Sequence, residues 1–315
     1  MPWRRYNLYL AILSFGMLSA LGGFNILVDP FLYRRPPVFE LNQERSNFRK
    51  NYHLWNILAF RDKAAQVVHF GDSRTENLDV EVLEELTGET QFNFAFGGGS
   101  FQEMLTAFWF GLEYHRPQRV VFGMNFDMFN ENNARNRFAT PQKITTNAFT
   151  YYTNLYVARR SVATLANHWR NTYPTEAPPM DRETFWQYQL DVSTERILMN
   201  YHYPDRLLAQ LKDVAAYCGE HGIEFMFIVP PLHRDYHAKI AELEMEATYV
   251  RFKAELAAIA PTIDFDYDHP LNRDAEAYKD PYHPDRELAE QVLKALAEYE
   301  KGEPLSFGKL LEPAS

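Results

Sequence analysis

The chain has 315 residues, of which 46% are hydrophobic and 15% aromatic, enough for one large domain and an anchor. Its formal net charge of −10 argues against a protein that binds nucleic acid or another polyanion. The single cysteine, Cys218, excludes an intrachain disulfide framework and a cysteine-rich metal site, and we expect it to be a buried structural thiol.

The N-terminal segment is apolar. No charged residue occurs between Asn7 and Val28, roughly the 20 residues that a helix needs to cross a bilayer. The segment is either an uncleaved anchor or a signal peptide cleaved near Ala20-Leu21-Gly22. We favour the anchor, because the apolar stretch continues past that site. Basic residues follow the segment, against the positive-inside rule, but large C-terminal domains translocate largely regardless of charge. We therefore predict a single-pass protein of the cell membrane with its folded domain on the periplasmic or extracellular side.

Residues 30–65 contain prolines and mixed charges and predict a linker with a short helix near Tyr52–Phe60. Beyond it, apolar runs alternate with helical patterns up to about residue 300. The predicted strands are Gln66–Phe70, Gln91–Phe96, Arg119–Met124, Glu224–Val229 and Thr262–Phe265, and the predicted helices are Val80–Leu86, Phe101–His115, about 196–218 and Asp285–Tyr299. This alternation indicates a parallel sheet covered on both faces. The predicted fold is α/β, a three-layer α/β/α sandwich with a mostly parallel five-stranded sheet, preceded by the N-terminal transmembrane helix.

Residues from about 130 to 200 interrupt the alternation, and the segment is too long for an ordinary connection. It begins just after the third predicted strand. We interpret it as a cap that shapes a substrate cleft, and the alternative is an ordinary surface excursion. Residues 301–315 form a C-terminal tail.

Two short motifs carry the chemistry. Gly71-Asp72-Ser73 follows the first predicted strand and presents a serine on a tight turn. Asp280-Pro281-Tyr282-His283 lies near the C-terminus and supplies a histidine and a carboxylate. A serine hydroxyl becomes a good nucleophile only when an adjacent base takes its proton, and a histidine oriented by a carboxylate does this on several unrelated folds. The pair predicts acyl transfer with Ser73 as nucleophile, His283 as general base and Asp280 as its orienting acid.

Two further blocks, Asn93–Ser100 and Val120–Asn125, follow the second and third predicted strands. With all four blocks in this order, the chain resembles the SGNH (GDSL-type) hydrolase superfamily, and the resemblance spans Val67 to His283. It implies a flavodoxin-like sheet and an oxyanion hole made by the N–H groups of Ser73 and Gly98 and the side-chain amide of Asn125. The run Gly97-Gly98-Gly99 leaves the glycine register open by one residue.

The third block departs from the family pattern. Phe126-Asp127 follows Asn125, whereas the family places the aspartate directly after the asparagine, and this difference puts the role of Asn125 in doubt.

Two other side chains are candidates for substrate binding. Arg74 could hold an acidic group of the substrate, and its alternative is a salt bridge to Glu76 or Asp72. His233 follows the fourth predicted strand and is expected near the rim of the cleft. His237 stands four residues later, which would place both histidines on one helix face, but no third metal ligand is evident. We predict no metal and no organic cofactor.

An N-terminal anchor combined with these blocks resembles the superfamily branch of the teichoic-acid D-alanylation protein and, more distantly, the alginate-type O-acetyltransferases. The resemblance implies an exported O-acyltransferase that acts on a cell-envelope or secreted polysaccharide, beside a membrane-bound O-acyltransferase as partner. The partners would be an acyl donor, a polysaccharide or small-ester acceptor and the membrane, with no nucleic acid. One alternative is an esterase of small esters or lipids, and another is a non-catalytic anchored binding or assembly subunit.

Overall fold

The computed structural model describes residues 2–39, 41, 51–133, 135–170 and 180–311. The chain forms two compact units: a smaller unit of residues 1–62 and 137–178, and a larger unit of residues 63–136 and 179–315. Parts of the predicted linker (40 and 42–50), insertion (134 and 171–179) and tail (312–315) lie outside the described residues. The described remainder of the insertion is divided between the two units.

The larger unit contains two sheets. Its strands are β1 (Val67–Phe70), β2 (Gln91–Asn93), β3 (Arg119–Gly123), β4 (Glu224–Val229), β5 (Thr262–Asp264), β6 (Tyr278–Asp280), β7 (His283–Pro284) and β8 (Lys309–Leu311). The main sheet has the order β2-β1-β3-β4-β5-β8, and β6 and β7 form a separate antiparallel ribbon. Pairings from β2 to β5 are all parallel. The predicted fold class, with its five parallel strands, is therefore confirmed.

The sheet has one more strand than the sequence predicted. β8 lies in the predicted tail and pairs antiparallel with β5, with Thr262 opposite Leu311. Three residues are too few to show the alternation of apolar and polar side chains that marks a strand. Its position depends instead on the unpaired edge that β5 offers.

Helices cover both faces of the sheet. Those of the larger unit are α3 (Ser73–Glu76), α4 (Val80–Thr87), α5 (Phe101–Gly111), α9 (Arg182–Tyr188), α10 (Glu195–Met199), α11 (Asp205–Glu220), α12 (Arg234–Glu242), α13 (Glu246–Ile259) and α14 (Arg286–Glu300), with 3₁₀ turns at Pro270–Arg273 and Ala275–Ala277. Leu83 of α4 and Leu293 of α14 join the core on the face that Val121 lines. On the opposite face, Phe122 packs edge-on against Phe108 of α5. Successive strand residues point to opposite faces, which explains this division.

The helix expected over about 196–218 is not continuous, and that prediction was wrong. α10 ends at Met199, residues 200–204 are non-helical, and α11 begins at Asp205. Pro204 explains the break, because proline has no N–H to continue the first helix but is compatible with the start of a second. A six-residue π-helical segment, Gln189–Thr194, precedes α10.

The smaller unit is helical, with α1 (Pro2–Val28), α2 (Tyr52–Asp62), α6 (Ala139–Thr145), α7 (Ala148–Tyr152) and α8 (Leu155–Arg170). The predicted short helix in the linker is confirmed by α2. Its core joins both chain segments, because Leu54 and Trp55 of α2 cluster with Ile144 and Tyr151. α1 is long and apolar enough to span a membrane by length and composition, a property that signal sequences share.

Candidate active site

The candidate nucleophile lies where the sheet order changes direction. In the order 2-1-3-4-5, the carboxyl ends of β1 and β3 flank the topological switch point, where ligands bind in open α/β sheets. Ser73 follows β1 and is the first residue of α3, so its N–H has no partner within the helix. Asp72 is the N-cap of α3, and its Oδ1 accepts a hydrogen bond from the Arg74 N–H at 2.9 Å.

Glycine is required at the ends of both strands. A Cβ atom at Gly71, after β1, or at Gly123, the last residue of β3, would overlap the side chain of Thr75 in α3. These two glycines let α3 approach the edge of the sheet closely. The position of Ser73 at the switch point therefore depends on this close packing.

Ser73, His283 and Asp280 are hydrogen-bonded in series, in the geometry that a Ser-His-Asp triad requires. Ser73 Oγ lies 2.8 Å from His283 Nε2, and His283 Nδ1 lies 2.8 Å from Asp280 Oδ2. The β6–β7 ribbon carries both the histidine and the aspartate, so the pair is held by one small turn. Asp280 Oδ1 also accepts from the backbone N–H groups of Tyr282 at 2.9 Å and of His283 at 3.3 Å. The aspartate thus fixes both the ring and the loop that bears it.

Asp280 is held in its ionised form. Burial alone would raise the pKa of this carboxyl, but the hydrogen bond and charge of His283 and the Tyr282 N–H lower it below its usual value. An ionised Asp280 keeps the Nδ1–H tautomer of His283, which leaves Nε2 to accept the proton of Ser73.

Asn125 has an unused hydrogen-bond donor. The residue follows β3 and is 1% exposed. Its Oδ1 accepts from the Met128 N–H at 2.9 Å, which fixes the orientation of the amide. Within the described part of the chain, Nδ2 is buried and has no hydrogen-bond partner. Buried polar groups are nearly always paired, so a fixed donor without an acceptor is what an oxyanion hole requires before substrate binds.

The glycine-rich turn between β2 and α5 lies against the nucleophile turn. Gly98 has a φ of +59°, which favours glycine. A Cβ at Gly99 would lie 3.0 Å from the Gly71 carbonyl oxygen and 3.4 Å from Asp72 Cα. The Gly98 carbonyl accepts from Arg135 at 2.7 Å. The predicted role of the Gly98 N–H in the oxyanion hole stays a prediction.

Arg74 is engaged by two carboxylates. Its Nη1 donates to Asp72 Oδ2 at 3.0 Å, and its Nη2 donates to both oxygens of Asp127, the shorter distance being 3.0 Å. The side chain is 3% exposed and lies over the ring of Tyr282. Burial would lower the pKa of Arg74, but Asp127 and Asp72 raise it above its ordinary value. The salt bridge to Asp72 that the sequence offered as the alternative is present, together with a second partner, Asp127.

Asp127, the displaced aspartate of the third block, bridges two side chains of the site. Its side chain accepts from Arg74 and from the hydroxyl of Tyr236 in α12, the latter at 3.1 Å. An aspartate two residues after Asn125 thus reaches the arginine that follows the nucleophile. Sequence reasoning missed this role and that of Tyr236. The only local signal was the displaced aspartate itself.

His233 is 3% exposed and contacts the turn of the β6–β7 ribbon. It caps α12, its backbone N–H donates to the Pro281 carbonyl at 3.0 Å, and its ring packs edge-on against Trp186. Burial is the main cause that lowers its pKa.

His237 has different neighbours and pairs with Asp266 at 2.7 Å. Among the described residues, no group of three His, Cys, Asp or Glu side chains could hold a metal ion.

The second half of the insertion supports the β6–β7 ribbon, which carries His283 and Asp280. The Tyr282 hydroxyl is hydrogen-bonded to the Thr194 side chain and donates to the Gln189 carbonyl at 3.3 Å. Both partners belong to the π-helical segment, a geometry that is frequent at functional sites. Arg182 donates to the Tyr278 carbonyl at 3.0 Å. The predicted cap over the cleft stays a prediction.

A cavity of about 390 Å³ adjoins the site between α4 and α14. Arg74 and Pro284, the neighbours in sequence of Ser73 and His283, contribute to its wall together with apolar residues such as Val82 and Leu293. The catalytic serine and histidine are not among the described residues that line it, so we assign it no role.

Comparison with known proteins gives structural relatives only. No family model matches the chain, and no curated protein matches it. A GDSL-like lipase from Bacteroides thetaiotaomicron is 13% identical with a TM-score of 0.43, covering 82% of this chain and 98% of its own. A proposed acylhydrolase from Bacteroides fragilis is 14% identical with a TM-score of 0.41, covering 82% of this chain and 97% of its own. A proposed platelet activating factor from Streptococcus pneumonia is 11% identical with a TM-score of 0.44, covering 82% of this chain and 99% of its own.

The geometry brings together the four sequence blocks on which the resemblance was based. The blocks occur in the family order, the sheet has the flavodoxin-like order, and Ser73, His283 and Asp280 are hydrogen-bonded in series. The geometry therefore agrees with the resemblance to the SGNH (GDSL-type) hydrolases that the sequence blocks indicate.

Proposed function

We propose that this protein is an exported, membrane-anchored O-acyltransferase that acylates a cell-envelope or secreted polysaccharide. The observation that carries the acyl-transfer chemistry is the series of hydrogen bonds from Ser73 Oγ to His283 Nε2 and from His283 Nδ1 to Asp280 Oδ2, each 2.8 Å long. The Nδ2 of Asn125, unpartnered among the described residues, is a candidate oxyanion donor. A donor of this kind binds the negative charge that develops on a carbonyl oxygen under attack. The triad supplies the attack itself.

The proposed reaction has two halves. Ser73 Oγ attacks the carbonyl carbon of the donor ester while His283 Nε2 takes the serine proton. The tetrahedral oxyanion accepts a hydrogen bond from Asn125, then collapses to acyl-Ser73, and His283 returns the proton to the leaving alcohol. In the second half, His283 takes the proton of an acceptor hydroxyl, which attacks acyl-Ser73. The acylated acceptor leaves and Ser73 regains its proton.

One feature of the chain supports a membrane-bound transferase. The apolar helix α1 would keep the enzyme beside a membrane-bound acyl donor or a partner acyltransferase. A polysaccharide hydroxyl would then compete with water for the acyl-enzyme at high local concentration.

An esterase is the second candidate. Ser73 is partly exposed and the His283 side chain is 19% exposed, so water can reach the acyl-serine. Water as acceptor makes the same cycle hydrolytic.

The test uses the full chain in lipid nanodiscs with p-nitrophenyl acetate as donor and cellotetraose or an oligomannuronate as acceptor. Mass spectrometry would follow acylated Ser73 and acetylated oligosaccharide, with Ser73→Ala as the control. We expect acyl-Ser73 and acylated acceptor from the wild-type protein, and a loss on the order of 10⁶ in turnover in the variant. Free acetate without acylated acceptor would make the protein an esterase. Absence of acyl-Ser73 with any donor would point to a non-catalytic subunit.

A further inference from the structure

The helix α8 of the smaller unit presents one face to α1. Val157, Ser161 and Thr164 are its buried residues, and α8 packs against α1. Ser161 Oγ donates to Asn25 Oδ1 of α1 at 2.9 Å in a buried position. This polar contact fixes where α8 lies along α1.

The contact lies at one end of the apolar span. Asn25 Nδ2 also donates to the Tyr152 carbonyl at 2.7 Å, and Gly22 lies against Thr153. These α1 residues fall within the last two turns before Val28, whereas side chains nearer the N-terminus, such as Leu13 and Phe15, are exposed. An apolar helix of roughly 22 residues is about 33 Å long, close to the thickness of the hydrocarbon core. α8 therefore lies at the level where hydrocarbon meets headgroups.

The opposite face of α8 carries an apolar stripe. Leu155, Val162 and Trp169 are 75%, 58% and 79% exposed. They stand seven residues apart, which places them on one side of the helix, facing away from α1. Phe149 of the neighbouring α7 is exposed as well. Large exposed apolar side chains in a row mark an interaction surface.

Basic residues flank the apolar stripe. Arg159 and Arg170 of the same helix are exposed beside the stripe, whereas Arg160 lies over the ring of Tyr156. The segment between Glu131 and Glu176 contains no aspartate or glutamate, although the whole chain carries a net charge of −10. A helix with an apolar stripe, a basic flank and a bulky tryptophan is typical of helices that lie in the interface of an anionic bilayer.

We propose that α8 is an interfacial helix that lies in the headgroup layer of an anionic lipid bilayer, beside the end of α1. The apolar stripe enters the boundary of the acyl chains, and Arg159 and Arg170 contact lipid phosphates. The inference rests on the membrane placement of α1 in the proposed function and is independent of the acyl-transfer chemistry. It gives the protein a second membrane contact besides its anchor.

The test places a fluorophore on the stripe of the full chain in nanodiscs. Val162→Cys is labelled in a Cys218→Ala background, and nitroxide lipids report its depth. Leu13→Cys in α1 is the deep reference, and Lys143→Cys, exposed on α6, is the solvent reference. We expect shallow nitroxides to quench label 162 most strongly and deep nitroxides to quench label 13. Quenching of label 162 by aqueous iodide alone, as at position 143, would overturn the proposal.

Two other outcomes would also overturn it. If label 162 is shielded from both the lipid nitroxides and aqueous iodide, and if it cross-links to a second protein, the stripe binds a protein partner. A label at position 13 that lipid nitroxides do not reach would mean that α1 is not inserted, whatever the acyl-transfer activity.

The arginines give a separate readout with the same label. Replacing Arg159 and Arg170 by Gln should lower the lipid-bound to free ratio of α8 about fivefold for each arginine, and only in anionic nanodiscs. Unchanged quenching would contradict the phosphate contacts.

Discussion

Two buried asparagines, one in each unit, show how differently the same side chain is used. Asn25 in the smaller unit has both ends of its amide bonded, with Oδ1 accepting from Ser161 and Nδ2 donating to Tyr152. Asn125 in the larger unit has only its oxygen bonded, to the Met128 N–H, and its Nδ2 has no partner among the described residues. A buried polar group gains stability when it is fully paired, and an unpaired donor costs stability unless function uses it. The comparison separates polar groups that hold the fold from those that await a ligand.

The largest effect is expected at Arg74, which lies next to Ser73 but is paired like a residue that stabilises the fold. Its replacement therefore tests the difference between paired and unpaired polar groups. Arg74→Met would remove the positive charge that faces both carboxylates and leave Asp72, which is buried, and Asp127, which is half-buried, without a cationic partner. We expect a loss of about 3–5 kcal/mol in the free energy of unfolding. Thermal or chemical unfolding in detergent would measure it. The control is Arg286→Met, since Arg286 is exposed and its pair with Glu290 is worth little. Equal stability of the two variants would show that the buried pairs do not support the site.

Asn125→Ala should affect catalysis more than folding. The variant loses the proposed oxyanion donor, so turnover should fall about 10²–10³-fold with little change in KM, while the Met128 N–H left without its acceptor should cost only about 1 kcal/mol of stability. Steady-state kinetics and thermal unfolding of the same preparations would measure both. Asn125→Asp keeps the acceptor for the Met128 N–H but not the donor, and it should also lose turnover. Full activity of either variant would exclude Asn125 from the oxyanion hole.

Asn25→Ala should show the opposite behaviour. It removes a fully paired amide, so the Tyr152 carbonyl loses the Asn25 donor and the Ser161 hydroxyl retains only its bond to the Val157 carbonyl. We expect a loss of about 2–3 kcal/mol in stability, measured by thermal unfolding in detergent, and no specific change in turnover. Ile26→Ala on the same turn is the control, since its side chain is exposed. Loss of turnover without loss of stability would mean that the two asparagines do not differ as proposed.

The sequence predicted those features that local patterns encode. Apolar runs separated by helical patterns predicted the five parallel strands, and the short motifs predicted Ser73, Asp280 and His283 as candidates. Contacts between distant residues were not predictable in this way. Arg74 and Asp127 are 53 residues apart, and Asn25 and Ser161 are 136 apart. Such pairs are specified by tertiary packing, which no periodicity reveals.

Glu300 is a buried acid whose partner is shared. Arg119 lies 3.6 Å from Glu300 but pairs more closely with Glu89 at 2.9 Å and Glu224 at 2.7 Å. Gln91 donates to Glu300 at 3.4 Å. Burial raises the pKa of Glu300 to about 7, because Arg119 offsets only part of that cost and the two other glutamates add repulsion. Glu300 thus lies between the fully paired and the unpaired groups.

Glu300→Gln should produce the smallest effect, and one that depends on pH. The folded protein holds the proton up to about pH 7, whereas the unfolded chain releases it near pH 4.5, so the folded state binds more protons between these values. Wild-type stability should therefore fall as pH rises from 4.5 through 7. The neutral amide removes this part of the slope and should stabilise the protein by on the order of 1–2 kcal/mol at pH 8, with no gain at pH 4. Denaturant unfolding across this range would measure the difference, with exposed Glu290→Gln as control. A gain that is the same at both pH values would mean that Arg119, although shared, pairs Glu300 fully.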